Sequence, residues 1–208
     1  VSEIVLFLGG SRSGKSEAAE SWVRDLSSGG SRVRYLATGE ATDPEMEQRI
    51  ARHRARRPAD WDTWEGPPEA LAEGISAGDG SPVGTVLLLD SLTTWAARRM
   101  AREPSSDGPD EALWRAASER ILREWRGALE ALPPRDRLVV VSDELGLGLI
   151  PETRVGRRFR DLLGELNQIA AAAAGRVRLC VAGLQVALKD PDPGNPGEEA
   201  RGATGMAA

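Results

Sequence analysis

The residues with the most chemistry in them are Gly9-Gly10-Ser11-Arg12-Ser13-Gly14-Lys15-Ser16, which fit the pattern G-x-x-x-x-G-K-[ST]. Glycines let a loop wrap closely enough for backbone N–H groups to face phosphate oxygens, and a helix N-terminus adds a favourable dipole. In such a loop Lys15 reaches the β- and γ-phosphates, and Ser16 offers its hydroxyl to Mg2+. A carboxylate at a neighbouring strand end is expected to support that metal. Asp90, closing Val86-Leu87-Leu88-Leu89, is the preferred candidate; Asp143-Glu144, following Val139-Val140-Val141-Ser142, is the second. An acid in either place could instead cap the next helix or turn.

A second concentration of chemistry lies between Arg49 and Arg57, where five arginines in nine positions surround His53, the one histidine of the chain. Guanidinium forks pair bidentately with phosphate oxygens, so this stretch predicts a strongly basic phosphate site. On a helix, Met46, Ile50 and His53 share a stripe, which would make His53 a packing residue. Chemistry offers another role: a neutral imidazole can attack phosphorus and hold the transferred group covalently, while neighbouring cations oppose its protonation and stabilise the leaving phosphate. Spacing alone favours the packing reading.

These residues need a scaffold, and the chain of 208 residues is long enough for one α/β domain with a buried core. Short apolar runs at Ile4 to Leu8, Val33 to Ala37, Val86 to Leu89, Leu138 to Val141 and Val177 to Ala182 read as buried strands. Between them, helical periodicity over Lys15 to Leu26, Pro44 to Arg56, Pro68 to Ile75, Leu92 to Arg102, Asp110 to Leu132 and Thr153 to Ala174 predicts βα units around a mostly parallel sheet. Thr42-Asp43-Pro44-Glu45 carries the capping residues and first-turn proline of a helix start. Gly74 to Gly84 and Glu103 to Pro109 read as loops. Residues 1–189 are expected to form the domain, and the proline-rich, polar stretch 190–208 a flexible tail.

Composition narrows the function. A single cysteine, Cys180, forbids an intramolecular disulfide, and a formal charge of −5 argues against a nucleic-acid binder. No apolar run reaches the ~20 residues of a membrane span, and no basic leader precedes the first apolar run, so a soluble cytoplasmic protein is expected.

Taken together, several segments resemble the bifunctional adenosylcobinamide kinase / adenosylcobinamide-phosphate guanylyltransferase family of cobalamin biosynthesis. They are residues 9–16, Tyr-Leu-Ala-Thr-Gly at 35–39, Asp-Pro-Glu-Met at 43–46, Arg-Ile-Ala-Arg-His-Arg at 49–54, 57–65, 144–152 and 159–168, and the likeness runs to Lys189. The resemblance implies a RecA-like P-loop fold and a homo-oligomer, a trimer with sites near subunit boundaries. It implies that His53 becomes guanylylated, and that residues 9–16, Ala37, Thr38, Gly39, Arg54, Ala55, Arg56, Arg57, Glu65 and Asp90 surround the guanine nucleotide. The implied substrates are ATP or GTP, adenosylcobinamide and its phosphate, with Mg2+ held by Ser16 and Asp90 and with Lys15 and His53 catalytic. Asp143 departs from the Asn common in the family, Asp90 occupies a position that can be Glu, and Arg52 stands where some members carry a second histidine.

Three other classes compete. A regulatory GTPase would use Asp143-Glu-Leu-Gly146 as a D-x-x-G switch, but neither Asn167 nor Asn195 begins an N-K-x-D motif. A simple small-molecule kinase would transfer only the γ-phosphoryl group. A nucleotide-binding structural subunit leaves the His53–arginine cluster unused.

Overall fold

A computed structural model describes residues 3–40, 44–76 and 83–190, apart from the side chains at positions 45, 46, 49, 52 and 53. Seven strands form one sheet: β1 (Glu3–Gly9), β2 (Arg32–Ala37), β3 (Asp62–Glu65), β4 (Thr85–Asp90), β5 (Arg137–Asp143), β6 (Arg176–Val181) and β7 (Leu184–Lys189). Their spatial order is β3-β2-β4-β5-β1-β6-β7, parallel throughout except for the antiparallel β6–β7 pair. The expected α/β class with a mostly parallel sheet and flanking helices is what the chain adopts.

Strands with apolar residues on both faces need cover on both sides. Val5, Phe7, Val86, Leu88, Val139 and Val141 pack on one face with Ala19 and Val23 of α1 (Lys15–Ser27). Leu6, Leu87, Leu89, Leu138 and Val140 pack on the other, beneath α4 (Leu92–Ala101) and α6 (Arg154–Ala173). An outer helix, α5 (Glu111–Glu130), lies on α4, α6 and α3 (Leu71–Ser76). Its Trp125 is fully buried with Trp95 of α4, and both indole N–H groups donate to carbonyls, of Leu166 and Pro68, so neither ring buries an unpaired donor.

Helix starts follow their side chains. Asp110 accepts from the N–H groups of Ala112 and Leu113, and Thr153 from Gly156. Ser91 and Thr94 cap each other's backbone at the start of α4. The segment expected as one helix from Pro68 to Ile75 is split into a single 3-10 turn, Pro68–Ala70, and α3. The start of α2 (Pro44–Arg56) is as expected, though its capping residues Thr42 and Asp43 lie outside the described residues.

Two strands escape the sequence reading. β3 is a four-residue edge strand, Asp-Thr-Trp-Glu, too short and polar to stand out. β7 follows a tight turn at Ala182-Gly183, both residues having positive φ. Leu184, Val186 and Leu188 alternate along it and are exposed. Asp190, assigned to the tail by composition, pairs with Arg178 at 2.9 Å and Arg176 at 3.6 Å. Residues 191–208 lie outside the described residues. Among the described residues no helix is long and apolar enough to cross a membrane.

Candidate active site at the carboxyl edge of the sheet

The loop between β1 and α1 turns through two left-handed residues, Arg12 (φ 57°) and Gly14 (φ 90°). Glycine suits position 14 doubly, because a Cβ there would stand 3.2 Å from the Gly183 backbone. The N–H of Gly183 donates to the Ser13 carbonyl at 3.0 Å, so the β6–β7 turn buttresses the loop from behind. Another brace comes from the N–H of Glu144, which donates to the Gly9 carbonyl at 3.1 Å.

At the end of this loop Lys15 is buried. Its ammonium donates to the Gly10 carbonyl at 3.1 Å and pairs with Asp143 Oδ1 at 2.6 Å. Lys15 and Ser16 open onto a cavity of about 240 Å³. From β2 and the loop beyond it come Tyr35, Ala37 and Gly39; from α2 and the residue after it, Ile50 and Arg57. Glu65 ends β3, Asp90 ends β4, and Ser91, Thr93 and Thr94 open α4; Asp143 ends β5. Parallel pairing puts all these strand ends at one edge, where ligands bind in open α/β sheets.

The sequence-derived residues divide accordingly. Lys15, Ser16, Ala37, Gly39, Arg57, Glu65 and Asp90 line the cavity, beside the loop formed by Gly9 to Gly14. Thr38 stands behind it, buried, donating its hydroxyl to the Ser91 carbonyl at 2.8 Å. Arg54 is exposed and pairs with Glu65 at 2.7 Å. Arg56 turns to Glu17 and to Glu20 on α1, and Ala55 faces solvent. Neither Ala55 nor Arg56 is among the lining residues. Position 53 belongs to α2, one helical turn from both Ile50 and Arg57; its side chain lies outside the described residues. Glu144 is occupied with its own turn, accepting from the Gly146 N–H at 2.6 Å.

Tyr35, Ser91, Thr93 and Thr94 were missed by the sequence reading. Register pairs Ala37 with Asp90 across β2 and β4, so Tyr35 lies two residues back with its hydroxyl 2.7 Å from Asp90 Oδ2. A lone tyrosine in an apolar strand beside a strand ending in Asp was the available signal.

Of the arginine cluster, Arg57 alone is among the described residues that line the cavity, the side chains at positions 49 and 52 lying outside the described residues. Among its described lining residues two cations, Lys15 and Arg57, face three carboxylates, Glu65, Asp90 and Asp143. Two other arginines of the cluster, Arg54 and Arg56, are engaged by acids distant in sequence, Glu65 for the first and Glu17 and Glu20 for the second.

Even so, the donor set suits a phosphorylated ligand with a hard cation. Arg57, which lines the cavity, has its Nε buried without a hydrogen-bond partner among the described residues, which is costly unless a ligand supplies an acceptor. Ser16, Asp90 and Asp143 provide the oxygen donors Mg2+ prefers. No three His, Cys, Asp or Glu side chains gather into a cage among the described residues.

A sequence model of the cobinamide kinase / cobinamide phosphate guanyltransferase family matches residues 5–188. The chain is 40% identical over 186 residues to the bifunctional adenosylcobalamin biosynthesis protein CobP of Pseudomonas aeruginosa, covering 88% of this chain and 96% of that one. It is 35% identical over 190 residues to the bifunctional adenosylcobalamin biosynthesis protein CobU of Escherichia coli, covering 89% and 99%. Among solved structures, a KaiC-like protein of Pyrococcus horikoshii aligns over 85% of this chain and 70% of its own, with 15% identity and a TM-score of 0.43.

Proposed function

The chain belongs to the cobinamide kinase / cobinamide phosphate guanyltransferase family, and from that premise we propose that its carboxyl-edge cavity carries out both steps named for the family. In the first, the γ-phosphoryl group of ATP or GTP passes to the aminopropanol hydroxyl of adenosylcobinamide; the bond to the β-phosphate breaks and the hydroxyl proton is released. Lys15 leaves Asp143 to hold the β- and γ-phosphate oxygens. Bound with the nucleotide, Mg2+ would neutralise charge on those oxygens, with Ser16 and Asp90 as its protein ligands.

In the second step the neutral imidazole of His53 attacks the α-phosphorus of GTP, forming a P–N bond and releasing pyrophosphate. A phosphate oxygen of adenosylcobinamide phosphate then attacks the same phosphorus, breaks the P–N bond and yields adenosylcobinamide-GDP. Loop backbone, Ala37 to Gly39, Arg54, Arg57 and Glu65 embrace the guanine nucleotide.

The observation that carries this reading is the convergence of Lys15 and Ser16 from the phosphate loop with Ile50 and Arg57, which flank position 53, on one cavity. The reading extends to a domain within residues 1–189, a homotrimer in the cytoplasm, and a subunit contact for which the exposed Leu184, Val186 and Leu188 of β7 offer an apolar face.

Incubation with α-labelled GTP and Mg2+ tests it. An acid-labile, base-stable label should appear on the protein and vanish in His53→Ala. Product formation by a wild type that never carries label excludes the covalent route. Lys15→Ala should abolish phosphorylation of adenosylcobinamide, and retained phosphorylation would remove the loop from its assigned role.

A further inference from the structure

The Lys15–Asp143 pair has no obvious place in phosphate binding, since it ties up the cation that phosphate needs. Lys15 Nζ lies 2.6 Å from Asp143 Oδ1, and the two side chains are only 7% and 21% exposed. The carboxylate is a competitor that an incoming triphosphate must displace.

Once displaced, it can move away only by rotation of its own side chain. The backbone of Asp143 is pinned on both sides: its N–H donates to Thr93 Oγ1 at 2.8 Å, and its carbonyl accepts from Asn167 Nδ2 at 3.0 Å. Asn167 is itself buried in α6 and takes the Ser142 hydroxyl at 2.6 Å. The root of the Asp143 side chain is therefore fixed beside the place where Lys15 meets phosphate. Two like charges at such separation, half-shielded from water, repel strongly. Asp90 on the same cavity adds a second carboxylate.

We infer that Asp143 makes nucleotide binding depend on a divalent cation: without the cation the pinned carboxylate repels the triphosphate and holds Lys15 back, and with it the carboxylate and phosphate oxygens share a counterion. Asp143 is thus a specificity-determining residue that selects the metal-complexed nucleotide over the free one. This inference rests on the nucleotide reading of the cavity but not on either transfer reaction.

Calorimetric titration with the α,β-methylene analogue of GTP, whose bridge blocks guanylyl transfer, tests it. Binding would be compared in Mg2+ and in EDTA. Wild type should bind more tightly in Mg2+. In Asp143→Asn the EDTA affinity should rise by about tenfold or more, and the ratio of the two affinities should shrink. Asp143→Ser gives a second neutral replacement should the first fold poorly. An unchanged EDTA affinity in a folded neutral variant overturns the inference. So does equal relief in Asp90→Asn, which leaves the Lys15–Asp143 pair in place. Equal wild-type affinity in both buffers refutes the metal dependence while leaving the nucleotide site intact, whereas no wild-type binding in either buffer refutes the nucleotide reading and this inference with it.

Discussion

Tyr35 donates its hydroxyl to Asp90 Oδ2 at 2.7 Å from within the sheet, while the Arg57 guanidinium lies 3.4 Å above its ring. One buried side chain thereby links the end of β4, the segment following α2 and the floor of the cavity. Burial, then the charge of Asp90, raise the phenol well above its ordinary range, against the opposing Arg57 cation.

Because Tyr35 is the sole tyrosine, its ionisation can be followed directly by tyrosinate absorbance. The native protein should show no tyrosinate near pH 10, where the unfolded chain ionises. The unfolded state then loses a proton that the native state keeps, so stability falls as pH rises above about 10. Tyr35→Phe should cost about 1–3 kcal/mol at neutral pH, leaving Asp90 without this donor, and should flatten the alkaline decline. A tyrosinate signal from folded protein at its ordinary pH would refute this environment.

The first two glycines of the phosphate loop should respond oppositely to alanine. A Cβ at Gly9 would lie 2.5 Å from both the Cys180 carbonyl oxygen and Ser13 Oγ, whereas one at Gly10 meets nothing within 4 Å. Gly9→Ala should therefore lower the melting temperature and nucleotide affinity, while Gly10→Ala leaves the melting temperature nearly unchanged. Thermal melts of the two variants side by side decide it.

Gly183 should matter through its N–H more than through its conformation. At φ 80° a side chain is strained, and Gly183→Ala should cost about 1 kcal/mol with no clash. Gly183→Pro also removes the donor to Ser13 and cannot adopt that φ, so it should weaken nucleotide binding several times more than Ala does. Equal affinities would show that the turn does not brace the loop.

Away from the site, Glu103 joins α4 to α5 by accepting from Arg99 at 2.6 Å and Arg120 at 2.7 Å, with its side chain 8% exposed. Burial would raise this carboxyl, but hydrogen bonds from Arg120 and Arg99 outweigh it and hold it below its ordinary range. Its contribution is therefore complete above the ordinary carboxylate range and lost as pH falls through and below that range. Glu103→Gln should destabilise by about 3 kcal/mol at pH 7, a gap that closes in strong acid. Urea unfolding at pH 7 and pH 3 reads both values.

What the sequence revealed depended on how local each signal was. Residues 9–16 carry their own geometry, and the five longer apolar runs became β1, β2, β4, β5 and β6 because parallel strands must be apolar on both faces. β7 stayed hidden because Leu184, Val186 and Leu188 alternate with partners that also face solvent. The charge balance of the site was hidden for a different reason. Five arginines in nine positions read as a basic patch, but Glu17, Glu20 and Glu65 reach Arg54 and Arg56 only through tertiary contacts. Likewise nothing near Lys15 announces Asp143, which the β1–β5 register brings opposite Gly9.

That register also fixes when the site can exist. Of the seven strands described, β1 is synthesised first, yet both its neighbours, β5 and β6, begin only at Arg137 and Arg176. On the ribosome, the phosphate loop must wait, flanked by an unpaired strand, until β5 has emerged. Fragments ending before β5 should retain no nucleotide affinity, so that ligand capture by a nascent chain would report completion of the sheet rather than emergence of the motif.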